Sequence, residues 1–308
     1  MKFKKPKFWD QKKISLLSIL LLPLSMIYTI IISIIKMFNI HKKFSLPVIC
    51  VGNIYIGGTG KTPLVKEIFH IIKSLNKKPA LIKKYYDYLI DETKMLEKIG
   101  KVYTCKNRTE GIISALKDEN DVVILDDGFQ DFSIKPNFSI ICFNSKQLIG
   151  NGLVIPAGPL RESLNGISRA DCIIINGNKN TEFENKLKIY MNKKEIPIFY
   201  SKYTIQNKAK FENKEITAFA GIGNPSNFFD LLRENSLNLK NTFSFPDHHN
   251  YTQKDFDKIT KDQSPIIVTT EKDYYRMTDE QKKSCDFVKV NLDIENKNNL
   301  TSLIKEYL

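Results

Sequence analysis

The chain is poor in the residues that would mark it as a disulfide-stapled or zinc-stapled protein. Its five cysteines are scattered through 308 residues, odd in number and without a CxxC pair. That pattern excludes a disulfide framework and the usual zinc spacings, and points to reduced thiols in the cytosol. No internal repeat or low-complexity segment stands out, and no nucleic-acid-binding motif accompanies the basic charge. Acidic residues are nearly missing from the start of the chain, where residues 1–43 hold nine Lys and a single Asp. A small-residue cleavage site is missing there too, which argues against a secretory signal. What is present is ordinary for a folded protein: 42% hydrophobic and 11% aromatic residues, enough for one large domain or two smaller ones.

The stretch from Gly52 to Pro63, Gly-Asn-Ile-Tyr-Ile-Gly-Gly-Thr-Gly-Lys-Thr-Pro, carries the strongest chemical signal. An apolar run, Val48-Ile49-Cys50-Val51, precedes it as a buried strand. Leu64, Ile68, Ile71 and Ile72 follow at helical spacing. Strand, glycine-rich loop and Lys-Thr opening a helix is a triphosphate cradle. Backbone N–H groups of Gly57, Gly58, Thr59 and Gly60 and the helix N-terminus face the phosphates. Lys61 reaches the terminal ones, and the Thr62 hydroxyl is a Mg²⁺ ligand. Pro63 fits the first helical turn, which has no intrahelical use for its N–H. The strict pattern wants Gly where Tyr55 stands; Gly57-Gly58 supplies the flexibility instead.

Most of the net charge of +13 brackets residues 14–35, a run of 22 residues without a charge. About 20 such residues cross a bilayer's hydrocarbon core. Ser15, Ser18, Ser25, Thr29 and Ser33, with Pro23 in the middle, lower the hydrophobicity of the run and invite a bend. Three placements stay open: spanning the membrane, lying in its interface, or forming a buried helix. In either membrane placement the flanking lysines suit anionic headgroups, and the nucleotide loop must face the cytosol, where ATP is.

Downstream, strands near 79–82, 121–125, 138–143, 172–175 and 198–205 alternate with helical segments. The expected fold class is α/β, a P-loop NTPase-like parallel sheet with helices on both faces. A lysine-rich polar patch before residue 214 suggests a boundary, giving a segment 1–43, a nucleotide domain 44–206 and a smaller α/β domain 207–308. In the last of these, strands are expected at 216–220, 266–270 and 287–292.

Several polar groups stand where chemistry gathers in such folds. The strand ending in Asp126-Asp127-Gly128 places two carboxylates where phosphate-loop enzymes hold Mg²⁺, although Asp-Asp-Gly is also good turn chemistry. Asp91-Glu92, taken alone, reads as a helix N-terminal cap. Asp247-His248-His249 gathers two of the four histidines. Arg161 is carried by a rigid Pro-containing loop, 156–162. Thr269 to Asp273 ends a strand. A GTPase would show Asn-Lys-x-Asp, and neither Asn178-Lys179 nor Asn192-Lys193 has the Asp.

Taken in order, these segments resemble the tetraacyldisaccharide 4′-kinase (lipid A 4′-kinase) family. The matches are 52–53 with 57–63, Asp91-Glu92, 126–130, 150–152 with 156–162, 220–225, Asp247-His248 and 269–273. The resemblance implies transfer of the γ-phosphate of ATP, with Mg²⁺, to the 4′-hydroxyl of a tetraacylated glucosamine disaccharide 1-phosphate. It implies a monomer at the cytoplasmic face of a Gram-negative inner membrane, bound to the membrane surface through the N-terminal segment and not to nucleic acid. Asp91 and His248 would form the catalytic pair that takes the hydroxyl proton. Thr62, Glu92, Asp126 and Asp127 would serve the metal, and Arg161 a phosphate. The two domains would close over the nucleotide, with Asp91 and His248 coming from different halves. Without the resemblance, the loop leaves open a phosphate-loop kinase or ligase acting on another cytosolic substrate.

Two departures accompany the resemblance. Where the family shows Arg-Gly-Tyr and a longer connection, this chain has Lys83-Lys84-Tyr85 five residues before Asp91, and a basic residue survives at Lys84. Where the family has a His after Asp-Asp-Gly-Phe-Gln, this chain has Asp131, an anion beside a triphosphate.

Overall fold

The computed structural model describes residues 5–11, 13–86, 90–261 and 266–308. In chain order its elements are α1 (Leu16–Phe38), β1 (Val48–Gly52), α2 (Lys61–Ser74), β2 (Pro79–Lys84), α3 (Ile90–Glu97), β3 (Val102–Cys105), α4 (Arg108–Lys117), β4 (Val122–Asp126), β5 (Phe138–Asn144), β6 (Cys172–Asn176), α5 (Thr181–Lys188) and β7 (Ile198–Ile205). There follow β8 (Glu215–Ala220), α6 (Pro225–Glu234), β9 (Asn238–Ser244), α7 (Gln253–Thr260), β10 (Ile266–Thr270), α8 (Glu271–Arg276), α9 (Asp279–Lys282), β11 (Asp286–Val288), β12 (Val290–Ile294) and α10 (Lys297–Lys305).

The larger sheet runs β12-β7-β6-β5-β1-β4-β2-β3. The pairings from β7 through to β3 are all parallel. Strand β1 is buried on both faces, with Val48, Ile49, Cys50 and Val51 at most 1% exposed. A fully buried aliphatic side chain contributes about 2 kcal/mol, so this apolar run is held in the sheet centre. Its neighbours β4 and β5 follow it at different points of the chain, which opens a crevice at their carboxyl ends, where α/β folds bind ligands. Helix α2 covers the sheet with Leu64, Val65, Ile68, Phe69, Ile71 and Ile72, and Asn76 in the left-handed region turns the chain out of it.

Two compact units result. One comprises Met1–Tyr85, Ile99–Lys202 and Ile294–Leu308; the other comprises Tyr86–Lys98 and Tyr203–Asp293. The second has its own sheet, β11-β10-β8-β9, and a core built on Phe211, Ile216, Phe229, Leu232 and Val268.

Two sequence readings change here. Residues 86–98, placed by sequence inside the nucleotide domain, cluster with the second unit, where α3 packs on α8. Asp91 and His248 therefore belong to the same unit, not to different halves. The single strand expected at 287–292 is two: β11 joins the small sheet beside β10, and β12 joins the large one. Between them Lys289 bonds through its backbone to Asn207 and Gln206, a break that an alternating apolar pattern does not reveal.

Candidate active site

The phosphate loop leaves β1 at Gly52, whose position tolerates no side chain. A Cβ there would lie 2.5 Å from Cβ of Phe129, in the turn that follows β4. The loop's base is closed by buried Asn53, whose amide donates to the Thr59 hydroxyl (2.9 Å) and to the Tyr55 carbonyl. Gly57, Gly58 and Gly60 take positive φ, and Gly60 caps α2 from the left-handed region at φ 90°. No side chain caps α2, so its first N–H groups are turned to the loop, an arrangement that suits an anion. Tyr55, the residue out of pattern, is fully buried. Its hydroxyl bonds Asp10 and accepts from Lys5 Nζ at 2.9 Å, fastening the loop to the start of the chain.

Beyond the sheet's carboxyl edge the two aspartates of β4 have distinct surroundings. Asp126 lies in register with Lys83 of β2 and is ion-paired to it, both side chains almost fully buried. The cation at this acid is Lys83, the residue before the Lys84 noted in the sequence. Asp127 adopts φ 55° and takes two bonds from Arg161 Nη1, at 2.8 and 3.0 Å, with Lys61 Nζ at 3.6 Å. Desolvation acts to raise this carboxyl, but Lys61 and Arg161 outweigh it and hold it at about 2. Asp127 is accordingly an anion at any physiological pH.

Arg161 is aimed by backbone pairing. Its N–H donates to Ile54 O at 2.7 Å, and Ile56 N donates to Pro159 O at 2.9 Å, so the 159–161 strip lies against the phosphate loop. Behind the acids, buried Arg108 donates from Nη2 to the carbonyls of Asp126 (3.2 Å) and Asp127 (2.8 Å), and from Nη1 to Asp131 (3.0 Å). Asp131 also accepts from the Ser133 hydroxyl at 2.6 Å. The anion that looked misplaced in the sequence is spent on Arg108. A further network links Gln130 to Asn53 O and Glu162, and Glu162 to both Nη atoms of Arg169, which stacks on Phe129. Burial pushes the Cys50 and Cys142 thiols up to about 12, so both act as apolar packing.

The second unit builds its own polar cluster. His248 stands at φ 55° with its N–H on Gly221 O. Its Nε2 is 3.3 Å from Lys272 Nζ, and its Nδ1 is 3.4 Å from Arg276 Nη2. Lys272 also reaches Glu92 of α3 at 3.0 Å and Asp247 at 3.6 Å. Asp273, fully buried, accepts from Gly221 N and the Thr270 hydroxyl and pairs with Arg276 at 3.1 Å. The strand-end motif 269–273 thus divides: Lys272 faces the histidine, and Asp273 braces the turn that carries it. Asp91 is in the first turn of α3, and its side chain lies outside the described residues.

A family model for tetraacyldisaccharide-1-P 4′-kinase (LpxK) matches residues 17–89 and 88–308 of this chain. The tetraacyldisaccharide 4′-kinase of Pelagibacter ubique (strain HTCC1062) is 41% identical over 313 residues, covering 99% of this chain and 98% of that protein. That of Rickettsia akari (strain Hartford) is 33% identical over 298 residues, covering 89% and 88%. The chain belongs to the tetraacyldisaccharide 4′-kinase family. Its fold is similar to the crystal structure of LpxK from Aquifex aeolicus in complex with ATP, with a TM-score of 0.75 and 26% identity over 95% of this chain and 99% of that one.

A kinase of this family works on ATP with Mg²⁺, and the donor set at the phosphate loop fits that ion. Thr62, Asp126 and ionised Asp127 offer hard oxygen ligands, and Mg²⁺ takes only one or two carboxylates beside phosphates and waters. Among the described residues no group of three or more His, Cys, Asp or Glu is assembled to hold a metal. Glu92, expected from sequence to join the metal group, is engaged by Lys272.

The kinase family's apolar N-terminal segment appears here as one continuous helix, α1, with polarity reversed relative to a soluble protein. Its buried residues are Ser18 and Ser25, while Leu16, Leu20, Leu24, Ile27, Ile31 and Phe38 are exposed. The Ser25 hydroxyl donates to Val154 O and accepts from Ala157 N. Ser18 accepts from Asn151, and Tyr28 donates to Arg161 O at 3.0 Å. Trp9, just upstream, is buried and donates to Pro156 O. The buried-helix placement left open by the sequence is excluded, because the helix shows its apolar face outward.

Sequence reasoning gave no role to Lys83, Arg108 or Arg276, and carried Gln130, Glu162 and Lys272 only inside the matched stretches 126–130, 156–162 and 269–273. Lys83 had a signal, since a lysine inside an apolar central strand needs a buried anion. Arg108 and Arg276 stand at helix ends with no local pattern.

Proposed function

We propose that this chain transfers the γ-phosphate of ATP to the 4′-hydroxyl of a tetraacylated glucosamine disaccharide 1-phosphate, forming lipid IVA in lipid A biosynthesis. The observation that carries the reading is Arg161. Its carbonyl receives Tyr28 of α1, its N–H bonds the phosphate loop, and its guanidinium holds Asp127. One residue thereby ties the lipid-facing helix to the nucleotide site.

In this reading Gly57, Gly58, Thr59 and Gly60 cradle the phosphates through backbone N–H groups. Lys61 and Arg161 offset the charge that grows on them. Thr62, Asp126 and Asp127 would hold Mg²⁺, which would supply neutralisation of phosphate charge. His248 accepts the proton of the acceptor hydroxyl, with Asp91 orienting the ring. The freed oxygen attacks the γ-phosphorus, the bond to the β-phosphate oxygen breaks, and ADP leaves.

The anchoring of α1 along its polar side, from Ser18 to Tyr28, favours a helix lying in the membrane interface over one that crosses it. A crossing helix would carry loop 151–161 into hydrocarbon, where its backbone groups find no water. The protein then works as a monomer at the cytoplasmic face of the inner membrane, where ATP and a four-chain acceptor meet. Purified protein, labelled ATP and tetraacyldisaccharide 1-phosphate test the reading, with lipid chromatography as readout. Labelled lipid that depends on Mg²⁺ is expected; none at any Mg²⁺ concentration overturns the assignment.

A further inference from the structure

We propose that Asp10 and Tyr55 are positioning residues of the nucleotide site: their bond holds the phosphate loop in its ATP-binding shape and makes that shape depend on the seating of the N-terminal segment. The proposal rests on the reading of residues 52–63 as the ATP cradle.

Each of the two is an exception in its own stretch. Asp10 is the single acid among residues 1–43, which hold nine lysines. Tyr55 stands where the general phosphate-loop pattern has glycine, and it is fully buried. The two exceptions meet each other. The Tyr55 hydroxyl donates to Asp10 Oδ1. Lys5 Nζ donates to the same hydroxyl at 2.9 Å and pairs with Asp10 Oδ2 at 2.6 Å. Burial, and then the adjoining carboxylate, push the phenol up, so it remains a donor at physiological pH.

Both ends of this bond are carried by fixed backbone. Asp10 closes the 3₁₀ turn Lys7–Asp10, which sits on loop 150–156. Trp9 O accepts from Asn151 N at 2.9 Å, and Trp9 Nε1 donates to Pro156 O at 3.0 Å. A Cβ on Gly150 would come within 2.3 Å of Trp9 O, so the turn seats closely against that glycine. On the other side, the Tyr55 carbonyl accepts from Asn53 Nδ2, which also donates to the Thr59 hydroxyl at 2.9 Å. A shift of Tyr55 therefore reaches Thr59, whose N–H belongs to the cradle. The crest between them has less support. Gly57 and Gly58 take positive φ, and a Cβ on Gly57 would touch nothing within 4 Å. A loop with so free a crest is ordered from its base, and ordering it in advance lowers the cost of gathering its N–H groups on a triphosphate. By linkage, a seated turn tightens ATP, and bound ATP tightens the seat by the same factor.

The test uses the full-length enzyme with Tyr55→Phe, Asp10→Ala, Asp10→Asn and the double variant Tyr55→Phe with Asp10→Ala. Calorimetry gives the Kd for a non-hydrolysable ATP analogue, and turnover with lipid acceptor gives kcat and ATP KM. Tyr55→Phe and Asp10→Ala are each expected to raise Kd and KM about tenfold, with kcat changed less than twofold. Asp10→Asn keeps an acceptor for the hydroxyl and is expected to restore most of the affinity. The double variant is expected to be no worse than either single one, because both remove the same bond. Acrylamide quenching of Trp9 reads the reciprocal effect: the analogue should lower it in the wild type and not in Tyr55→Phe. If Tyr55→Phe fails to fold, Asp10→Ala against Asp10→Asn makes the same comparison. A wild-type Kd in Tyr55→Phe, a loss confined to kcat, or Asp10→Asn as weak as Asp10→Ala overturns the proposal. Wild-type analogue affinity in Lys61→Met would instead sink the reading of the loop as the cradle.

Discussion

Arg108 and Asp131 form an ion pair at 3.0 Å behind the acidic turn, and the same guanidinium holds the carbonyls of Asp126 and Asp127. The pair therefore shapes the backbone on which the phosphate-facing acid stands. Arg108 is nearly buried, and stripping one partner from a buried pair is costly. Asp131→Asn is expected to destabilise the protein by about 2 kcal/mol in urea unfolding. Asp131→His, which restores the residue usual in the family, is expected to lower kcat, because it removes the anion that holds Arg108 Nη1. A His variant as stable and active as wild type would show that the pair does no positioning.

The Asp127 carboxyl is held at about 2 by Lys61 and Arg161 against desolvation. An ordinary aspartate titrates near 3.9 when unfolded. Because the folded value is the lower one, the group adds stability above about pH 4 and loses it as pH falls toward 2. Asp127→Asn is expected to flatten the acid side of the stability–pH curve in that window. It should also abolish turnover, leaving Lys61 and Arg161 unpaired. Parallel acid limbs for variant and wild type would contradict the assignment.

Gly52 touches the turn at Phe129 too closely for any side chain, a Cβ meeting Cβ of Phe129 at 2.5 Å. Gly52→Ala forces β1 and the acidic turn apart at the loop's root, an overpacking cost of about 1–3 kcal/mol. ATP binding by calorimetry is expected to weaken at least tenfold. An unchanged Kd would mean that the turn gives way without disturbing the loop.

The two faces of α1 separate by experiment. Ser25→Ala leaves the Val154 carbonyl and Ala157 N–H without their hydroxyl, a loss of about 1–3 kcal/mol, and vesicle binding should persist. Leu20→Glu with Ile27→Glu changes only exposed positions. It should leave the unfolding midpoint nearly unmoved and reduce flotation with anionic vesicles. If the glutamates unfold the protein without affecting flotation, the assignment of faces is reversed.

Much of this molecule was legible because its decisive parts are local. The apolar run 48–51, the glycines after it and the Lys-Thr pair fix a strand, a loop and a helix start by their own conformational preferences. The carboxylates of β4 follow the same logic. What stayed hidden depends on partners far along the chain. Strand β9 lacks an apolar run, being an edge strand with alternate residues exposed. Asp131 read as an intruder because its partner, Arg108, is 23 residues upstream. Lys272 lies in the matched stretch 269–273, but its partners Glu92, Asp247 and His248 are distant in the chain. Ser18 and Ser25 of α1 looked like dilution of a membrane helix, whereas they are the side that grips the protein.

Trp9 is the only tryptophan in the chain, buried and bonded to Pro156 O at the foot of α1. Its indole is thus a built-in optical gauge for the seam between the N-terminal segment and loop 151–161. Emission from the docked ring lies to the blue, and wetting of the seam moves it to the red. The unlabelled enzyme can report, in real time and in the presence of lipid, whether the helix keeps its grip during a turnover.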